Sequence, residues 1–350
     1  MLVSIIITSY NYERFLPEAI ESALHQDHPD VEVIVVDDGS TDGSARVIEQ
    51  YAGRVTPIMK DNGGQCSCFN EGFARSRGEV VIFLDADDAL LPRAASLHAE
   101  RLSRGAVKSC GYMDVIDPGG RRTGSRIPRQ LPDSGDYLDE TLVNGLDAYQ
   151  TSFTSGHAWS RAFLQQVFPI PQNDIIGADG YLTAVDRLFG RLEFIHEPVA
   201  LYRLHTDNKG PVSFCFDLGH LENRVQRKQH RIAYAEQWLE KLGHDGEWRG
   251  LRQIRDWRIV LMMHSLNLLD ERQPPVSLLE LVTSPFRTRP RRLRASAAAA
   301  ACLVLIRVLP KGAALAMAHR VLERTQVGRV GERRRPWWRM PGARRSGARA

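Results

Sequence analysis

Two near-continuous Ile/Val runs, at residues 3–8 and 31–36, constrain what this chain can fold into more than any other feature. Apolar runs without polar alternation are what parallel strands covered on both faces require. Between them Leu16, Ile20, Ala23 and Leu24 share one helical face, with Pro17 suited to a first turn. Strand, helix, strand is the rhythm of a parallel sheet with helices on its faces. It continues with a helix over 42–51, for which Ser40 or Thr41 is the candidate cap, and a weak strand near 55–59. A helix from about 65 to 75, a strong strand at 80–84 and a helix opened by Pro92 follow. An extended stretch at 107–116 ends in the turn Asp117-Pro118-Gly119-Gly120. The pattern weakens from 127 to 178, then returns as a helix at 181–189 and a strand at 192–195. Residues 218–269 read as helical. The expectation is an α/β domain over 1–215, a helical extension over 216–272, and a separate tail over 273–350.

Composition narrows the class. With 43% hydrophobic and 25% charged residues in 350, the chain suits a soluble globular protein. Five cysteines, an odd number, do not suggest a disulfide-stapled scaffold, and Cys66-x-Cys68 lacks the second pair that a structural zinc site needs. Nothing at the N-terminus reads as a signal peptide, and the longest apolar run, 295–306, is far short of the ~20 residues of a spanning helix. A reduced, cytoplasmic setting is expected. The net charge of +4 hides an asymmetry: residues 286–350 hold 16 Arg and one Lys against two Glu, a net +15, which leaves −11 on the first 285. An acidic body argues against nucleic acid as a partner.

In parallel α/β sheets ligands bind beyond the carboxyl ends of the strands. There the chain places Thr8-Ser9-Tyr10-Asn11, Asp37-Asp38-Gly39-Ser40 and Asp85-Ala86-Asp87-Asp88. No G-x-G-x-x-G follows the first strand and no G-x-x-x-x-G-K-[ST] occurs, so a dinucleotide-binding Rossmann domain and a P-loop NTPase are not expected. Aspartates at 85 and 87 point the same way on extended backbone. Their crowding suits a divalent cation completed by substrate phosphates and water, although capping the helix near Pro92 would also explain an acid there.

The combination is more specific than its parts. Residues 3–11 (VSIIITSYN), 33–42 (VIVVDDGSTD), Asn62-Gly63-Gly64-Gln65 and 78–88 (GEVVIFLDADD) occur in an order and spacing that closely resembles glycosyltransferase family 2. The resemblance covers about residues 1–210 and is strongest over the first 100. It implies a GT-A-type, mostly parallel sheet flanked by helices, a donor half over about 1–117 and an acceptor half over about 118–215. It also implies an inverting, metal-dependent enzyme that uses a nucleotide sugar. By position, Thr8 and Tyr10 would contact the nucleotide base. Asp38 would accept a ring N–H of uracil or thymine, Asp85 would lie near the ribose, and Asp87 would bind Mg²⁺ or Mn²⁺. The family's Glu-Asp pair appears as Ala178-Asp179, which keeps the general-base carboxylate in Asp179 and loses the preceding Glu. Tyr202-Arg203-Leu204-His205 resembles the segment that returns to the diphosphate and metal, with Arg203 on the donor and His205 on the cation.

The implied reaction moves one sugar from a UDP- or dTDP-sugar to a hydroxyl of a glycan, glycolipid or other acceptor in cell-envelope synthesis. A sugar nucleotidylyltransferase would show a Gly-rich, Arg-containing N-terminal signature, which Thr8-Ser9-Tyr10-Asn11 is not. A non-catalytic nucleotide-sugar-binding protein would not need Asp87 and Asp179 together. Processive synthases carry Q-x-x-R-W and membrane helices; Gln253-Ile254-Arg255-Asp256-Trp257 is a near miss, so a non-processive, hexosyltransferase-type enzyme is expected. Ser155-Gly156-His157 and Trp159 are the candidate acceptor contacts. Alanine-rich runs at 295–306 and 313–322, flanked by arginines and followed by Trp337-Trp338, suit a peripheral anchor on an anionic membrane face. The competing expectation is that these helices pack on the catalytic domain or make a homo-oligomer.

Overall fold

Side-chain alternation along the strands sets the layers. The computed structural model describes residues 1–244 apart from 145, 147, 148, 174 and 206–217, together with 313, 314 and 317. The first half runs β1 (Val3–Ser9), α1 (Leu16–Leu24), β2 (Val31–Asp37), α2 (Ser44–Glu49), β3 (Thr56–Met59), α3 (Gly64–Arg75) and β4 (Val80–Asp85). Ile5, Ile7, Val33, Val35, Ile82 and Leu84 face one way and pack with Leu16, Ile20 and Ala23 of α1. Ile6, Ile34, Val36, Val81 and Phe83 face the other and pack with Phe69 and Phe73 of α3. Both faces are covered, and this explains the unbroken apolar runs.

The chain continues through β5 (Ala89–Leu90), α4 (Ala94–Leu102), β6 (Lys108–Ile116), β7 (Arg122–Ile127) and α5 (Leu138–Asn144). Then come β8 (His157–Ser160), α6 (Arg161–Val167), α7 (Ala178–Val185), β9 (Leu192–Arg203) and α8 (Leu218–Lys241), with short 3₁₀ turns at Thr154–Gly156 and Asp186–Leu188. The sheet order is β3-β2-β1-β4-β8-β6-β9-β5, with β7 on β6. Pairing is parallel across β3-β2-β1-β4 and again between β6 and β9; β8 runs antiparallel to β4 and β6, as do β5 to β9 and β7 to β6. The expected α/β sheet flanked by helices is present, purely parallel in its first half and mixed in its second.

Two local expectations change. The helix after β2 starts at Ser44, and neither Ser40 nor Thr41 caps it. Ser40 Oγ donates to Asp37 Oδ1 (2.5 Å) and accepts the Asn11 N–H (2.9 Å), while Asn11 Oδ1 accepts the Thr41 N–H (2.7 Å). Those residues tie the β1 and β2 loops together instead. The strand expected at 192–195 runs on to Arg203 as β9, the long strand that carries the chain back to the site.

The helix α8 lies against α7. Tyr234 meets Tyr181 edge-on at 4.8 Å, Trp238 meets Phe189 at 5.2 Å, and Leu239 is buried in the α3 face of the core. The expected helical character at 242–269 and the basic tail fall almost wholly outside the described residues.

Candidate active site

The carboxyl ends of β1, β2 and β4 meet at one edge because their register is continuous: Thr8 pairs with Val36 on one side and Asp85 on the other. Thr8 is buried there, and Tyr10, just beyond, is 41% exposed. Asn11 follows Tyr10 in the left-handed region at φ 59°, a conformation that Asn tolerates better than most residues. Its hydrogen bonds to the Ser40–Thr41 loop over-determine it, so the ring of Tyr10 is presented at the strand edge by backbone that cannot relax.

Asp38 is buried, and its carboxylate accepts three donors: Lys60 Nζ at 2.6 Å, the Gly63 N–H at 2.9 Å and the Gly64 N–H at 2.8 Å. Burial pushes its pKa up, but these three donors outweigh burial and hold the carboxyl below its ordinary value. Gly39 makes this packing feasible: its φ is +73°, and a Cβ there would sit 2.9 Å from the Asn62 backbone nitrogen.

At the end of β4 three acids, Asp85, Asp87 and Asp88, share a small space. Asp87 and Asp88 are buried, whereas Asp85 keeps a partly open face. Burial, with the charges of Asp87 and Asp179, pushes the Asp85 carboxyl up to about 8. Asp88 is pushed well above its ordinary value, first by burial and then by Asp87 and Asp85. Ser155 organises this turn: its hydroxyl accepts the Asp85 N–H at 3.2 Å and donates to Asp88 Oδ2 at 2.7 Å. His205 Nε2 lies 2.9 Å from Asp87 Oδ2, with its ring packed on Phe15 at 5.2 Å and edge-on to Tyr12 at 5.8 Å. Arg203 is only 2% exposed. It donates from Nε to the Asp87 carbonyl at 2.9 Å and from Nη2 to Glu18 Oε2 at 2.5 Å, with its guanidinium over Phe15. It thus braces the acidic turn against α1.

Asp179 comes from a different element, the first turn of α7, and is partly buried. Burial raises its pKa; Arg231, the Gly180 N–H, Lys108 and Arg227 oppose that rise. Gln65, the second residue of α3, spans the gap between the two groups of acids. Its Nε2 donates to Asp85 Oδ1 at 2.9 Å, and its Oε1 accepts the Ala178 N–H at 3.2 Å. The structure therefore brings Asp85, Asp87, Asp179 and His205 to one place, with Asp38, Thr8 and Tyr10 along the same sheet edge.

The acceptor candidates are corrected. Trp159 is 1% exposed and packs on Phe163, and His157 is buried with its Nε2 2.7 Å from Thr151 Oγ1. Neither is open to a sugar, because β8 lies inside the sheet between β4 and β6. Ser155, expected among the acceptor contacts, instead holds Asp85 and Asp88; residues at the site that the sequence reading did not single out are Lys60, Gln65 and Arg231. Only Gln65 had a signal, as the last residue of the Asn62-Gly63-Gly64-Gln65 segment; the others act through partners distant in the chain.

Residues 4–167 match the family described as glycosyl transferase family 2. Residues 4–167 belong to glycosyltransferase family 2. The chain is 39% identical over 214 residues to the uncharacterized glycosyltransferase alr2836 of Nostoc sp., a match covering 59% of this chain and 66% of that protein. It is 36% identical over 114 residues to a chondroitin synthase of Pasteurella multocida, covering 32% of this chain and 12% of that one. It spans less than two thirds of the length of either relative. Among solved structures, S. aureus TarS residues 1–349, crystallised with UDP-GlcNAc, aligns with a TM-score of 0.54 at 16% identity over 94% of this chain and 93% of that one. The fold is thus of the GT-A type. Within this family 2 domain lie Thr8, Tyr10, Asp38, Asp85 and Asp87, whereas Asp179, Arg203 and His205 come from the chain beyond residue 167.

Proposed function

We propose that this chain transfers one sugar from a UDP- or dTDP-sugar to an acceptor hydroxyl by a single displacement that inverts the anomeric carbon. The observation that supports this reading is the convergence of Asp85 and Asp87 at the end of β4 with Asp179 at the start of α7. Acids drawn from separate elements to one point, against their own repulsion, are better explained by work on a ligand than by folding.

Asp179 takes the proton of the acceptor hydroxyl as that oxygen bonds to C1 of the donor sugar. The C1–O bond to the diphosphate breaks in the same step, and the nucleoside diphosphate leaves with the bonding pair. Asp38 accepts a ring N–H of the base, Tyr10 offers its exposed ring as a stacking face, and Asp85 lies toward the ribose. Gln65 keeps the donor and acceptor acids in register.

Asp87 and His205 fit a divalent cation, Mg²⁺ or Mn²⁺. Among the described residues no group of three or more His, Cys, Asp or Glu side chains forms a metal cage. Such a two-donor site suits an ion that shares its shell with substrate phosphates. When bound, the ion would offset charge on the departing diphosphate.

A cell-envelope or other glycan acceptor fits the family and the similarity to a chondroitin synthase. The reading is non-processive and hexosyl-transferring. No helix among the described residues is long and apolar enough to cross a membrane, and the basic tail would attach the enzyme peripherally to the cytoplasmic face. The test is a panel of UDP-, dTDP- and GDP-sugars, with nucleoside diphosphate release followed with Mg²⁺, Mn²⁺ or EDTA. Release from a UDP- or dTDP-sugar that EDTA abolishes supports the reading; release only from GDP-sugars, or unaffected by EDTA, counts against it.

A further inference from the structure

We propose that Arg231, from the helix that follows the catalytic sheet, is a positioning residue for Asp179, keeping that carboxylate charged and aimed for base work. The inference rests on the reading of Asp179 as the base. Hydrogen bonds tie Arg231 to the backbone of Asp179, and its charge acts on the carboxylate through space. Arg231 Nη2 donates to Thr183 Oγ1 at 3.3 Å, and the same hydroxyl donates to the Asp179 carbonyl at 2.7 Å. The aliphatic stem crosses the first turn of α7, where a Cβ on Gly180 would lie 3.9 Å from Arg231 Cδ. Among the described residues, Arg231 Nε is buried with no hydrogen-bond partner.

The helix α8 cannot easily withdraw this group, because Tyr234, Trp238 and Leu239 anchor it on α7 and the core. Of the groups facing Asp179, Asp85 at the end of β4 is repulsive when ionised. Lys108 on β6 is attractive, but it is bound to Asp186 at 2.9 Å and Thr151 at 3.2 Å, which divides its effect. Arg227, one turn earlier on α8, is exposed and therefore screened by solvent. That leaves the Arg231 guanidinium as the main attraction opposing burial of the Asp179 carboxylate. A base that burial pushes toward its neutral form loses activity unless a fixed cation opposes the push.

The experiment uses the full chain with the donor selected by the panel, comparing wild type, Arg231→Gln, Arg231→Lys and Asp179→Asn. The pH dependence of kcat/KM for donor hydrolysis is recorded. Independently of turnover, ¹³C-carboxyl titration of labelled Asp follows Asp179, assigned by its loss in D179N. With Arg231→Gln, the Asp179 titration and the acid limb of kcat/KM should both move upward by about one pH unit, the usual effect of one close opposite charge. Arg231→Lys should restore most of the shift, and UDP binding should stay unchanged. An unmoved Asp179 titration in a folded Arg231→Gln variant overturns the proposal while leaving the base reading intact. Wild-type kcat in Asp179→Asn overturns the base reading, and the proposal with it.

Discussion

A single oxygen decides most of what Asp87 does: Oδ2 faces His205 Nε2, and the backbone carbonyl of the same residue is held by Arg203. Asp87→Ala should therefore abolish metal-dependent turnover by 100-fold or more, on the order expected when a site charge is lost, while the melting temperature changes little; retained activity would assign the acid to folding. Asp179→Asn should keep donor binding and lower kcat by about 10²–10⁴, the usual worth of a positioned base; lost donor affinity with unchanged kcat would point to a binding role. Asp38→Ala has a wider effect than one missing acceptor. It strands Lys60 and the Gly63 and Gly64 N–H groups and loosens the start of α3, so Gln65 should lose its place between Asp85 and Ala178. UDP affinity should fall by about 1–3 kcal/mol, the cost of unpaired buried donors, with kcat falling as well; an unchanged Kd for UDP sinks the base-contact reading. The sequence made the acids legible because carboxylates at strand ends are rare and costly. Lys60 and Arg231 were not legible, nor was the tie of Ser155 to Asp88, since the partners lie 22, 48 and 67 positions away in the chain.

Among elements, the same contrast separates the two halves of the sheet. The strands β1, β2 and β4 are buried on both faces and announce themselves as Ile/Val runs. The strand β8, His157-Ala-Trp-Ser160, is just as central but carries polar and aromatic residues, and no period-2 or continuous apolar signal marks it. Its polar burial is explained only by neighbours. Lys108 on β6, fully buried, pairs with Asp186 at 2.9 Å in the 3₁₀ turn after α7, where Arg187 Nε also reaches Asp186 at 3.1 Å. Burial alone would raise the Asp186 pKa, but Lys108 and Arg187 hold it below the ordinary value. A depressed carboxyl contributes stability above its unfolded pKa and loses it as pH falls through the folded value. Lys108→Met leaves Asp186 buried with one cation fewer, at a cost of about 3 kcal/mol, the lower end for a broken buried pair. It also raises the Asp186 pKa. The destabilisation, read by urea unfolding, should be largest at pH 7 and shrink toward pH 4 as Asp186 protonates. An equal loss at both pH values would show that packing, not the stranded charge, carries the effect.

For the whole molecule, the division of charge is the feature that a fold of this type does not require. The first 285 residues carry −11 and the remaining 65 carry +15, so the tail is attracted to any anionic surface, including the chain's own acidic body. Two targets therefore compete, and salt alone does not separate them, since both attractions are screened over a Debye length of about 10 Å at 0.1 M. Lipid composition does. Near an anionic leaflet each Lys or Arg contributes about 1 kcal/mol, so a handful of the tail's 17 bases suffices for reversible attachment, with Trp337 and Trp338 suited to the headgroup region. If the tail serves as a membrane anchor, the full-length chain should sediment with phosphatidylserine-containing liposomes and not with neutral ones, and 0.5 M salt should release it. A chain ending before Phe286 should stay in the supernatant and keep its donor hydrolysis, because every site residue identified above lies before residue 232. Should the shortened chain bind as well as the full one, or the full chain show no preference between lipids, the tail's charge is directed at protein. The shortened chain should then differ in oligomeric state or in thermal stability.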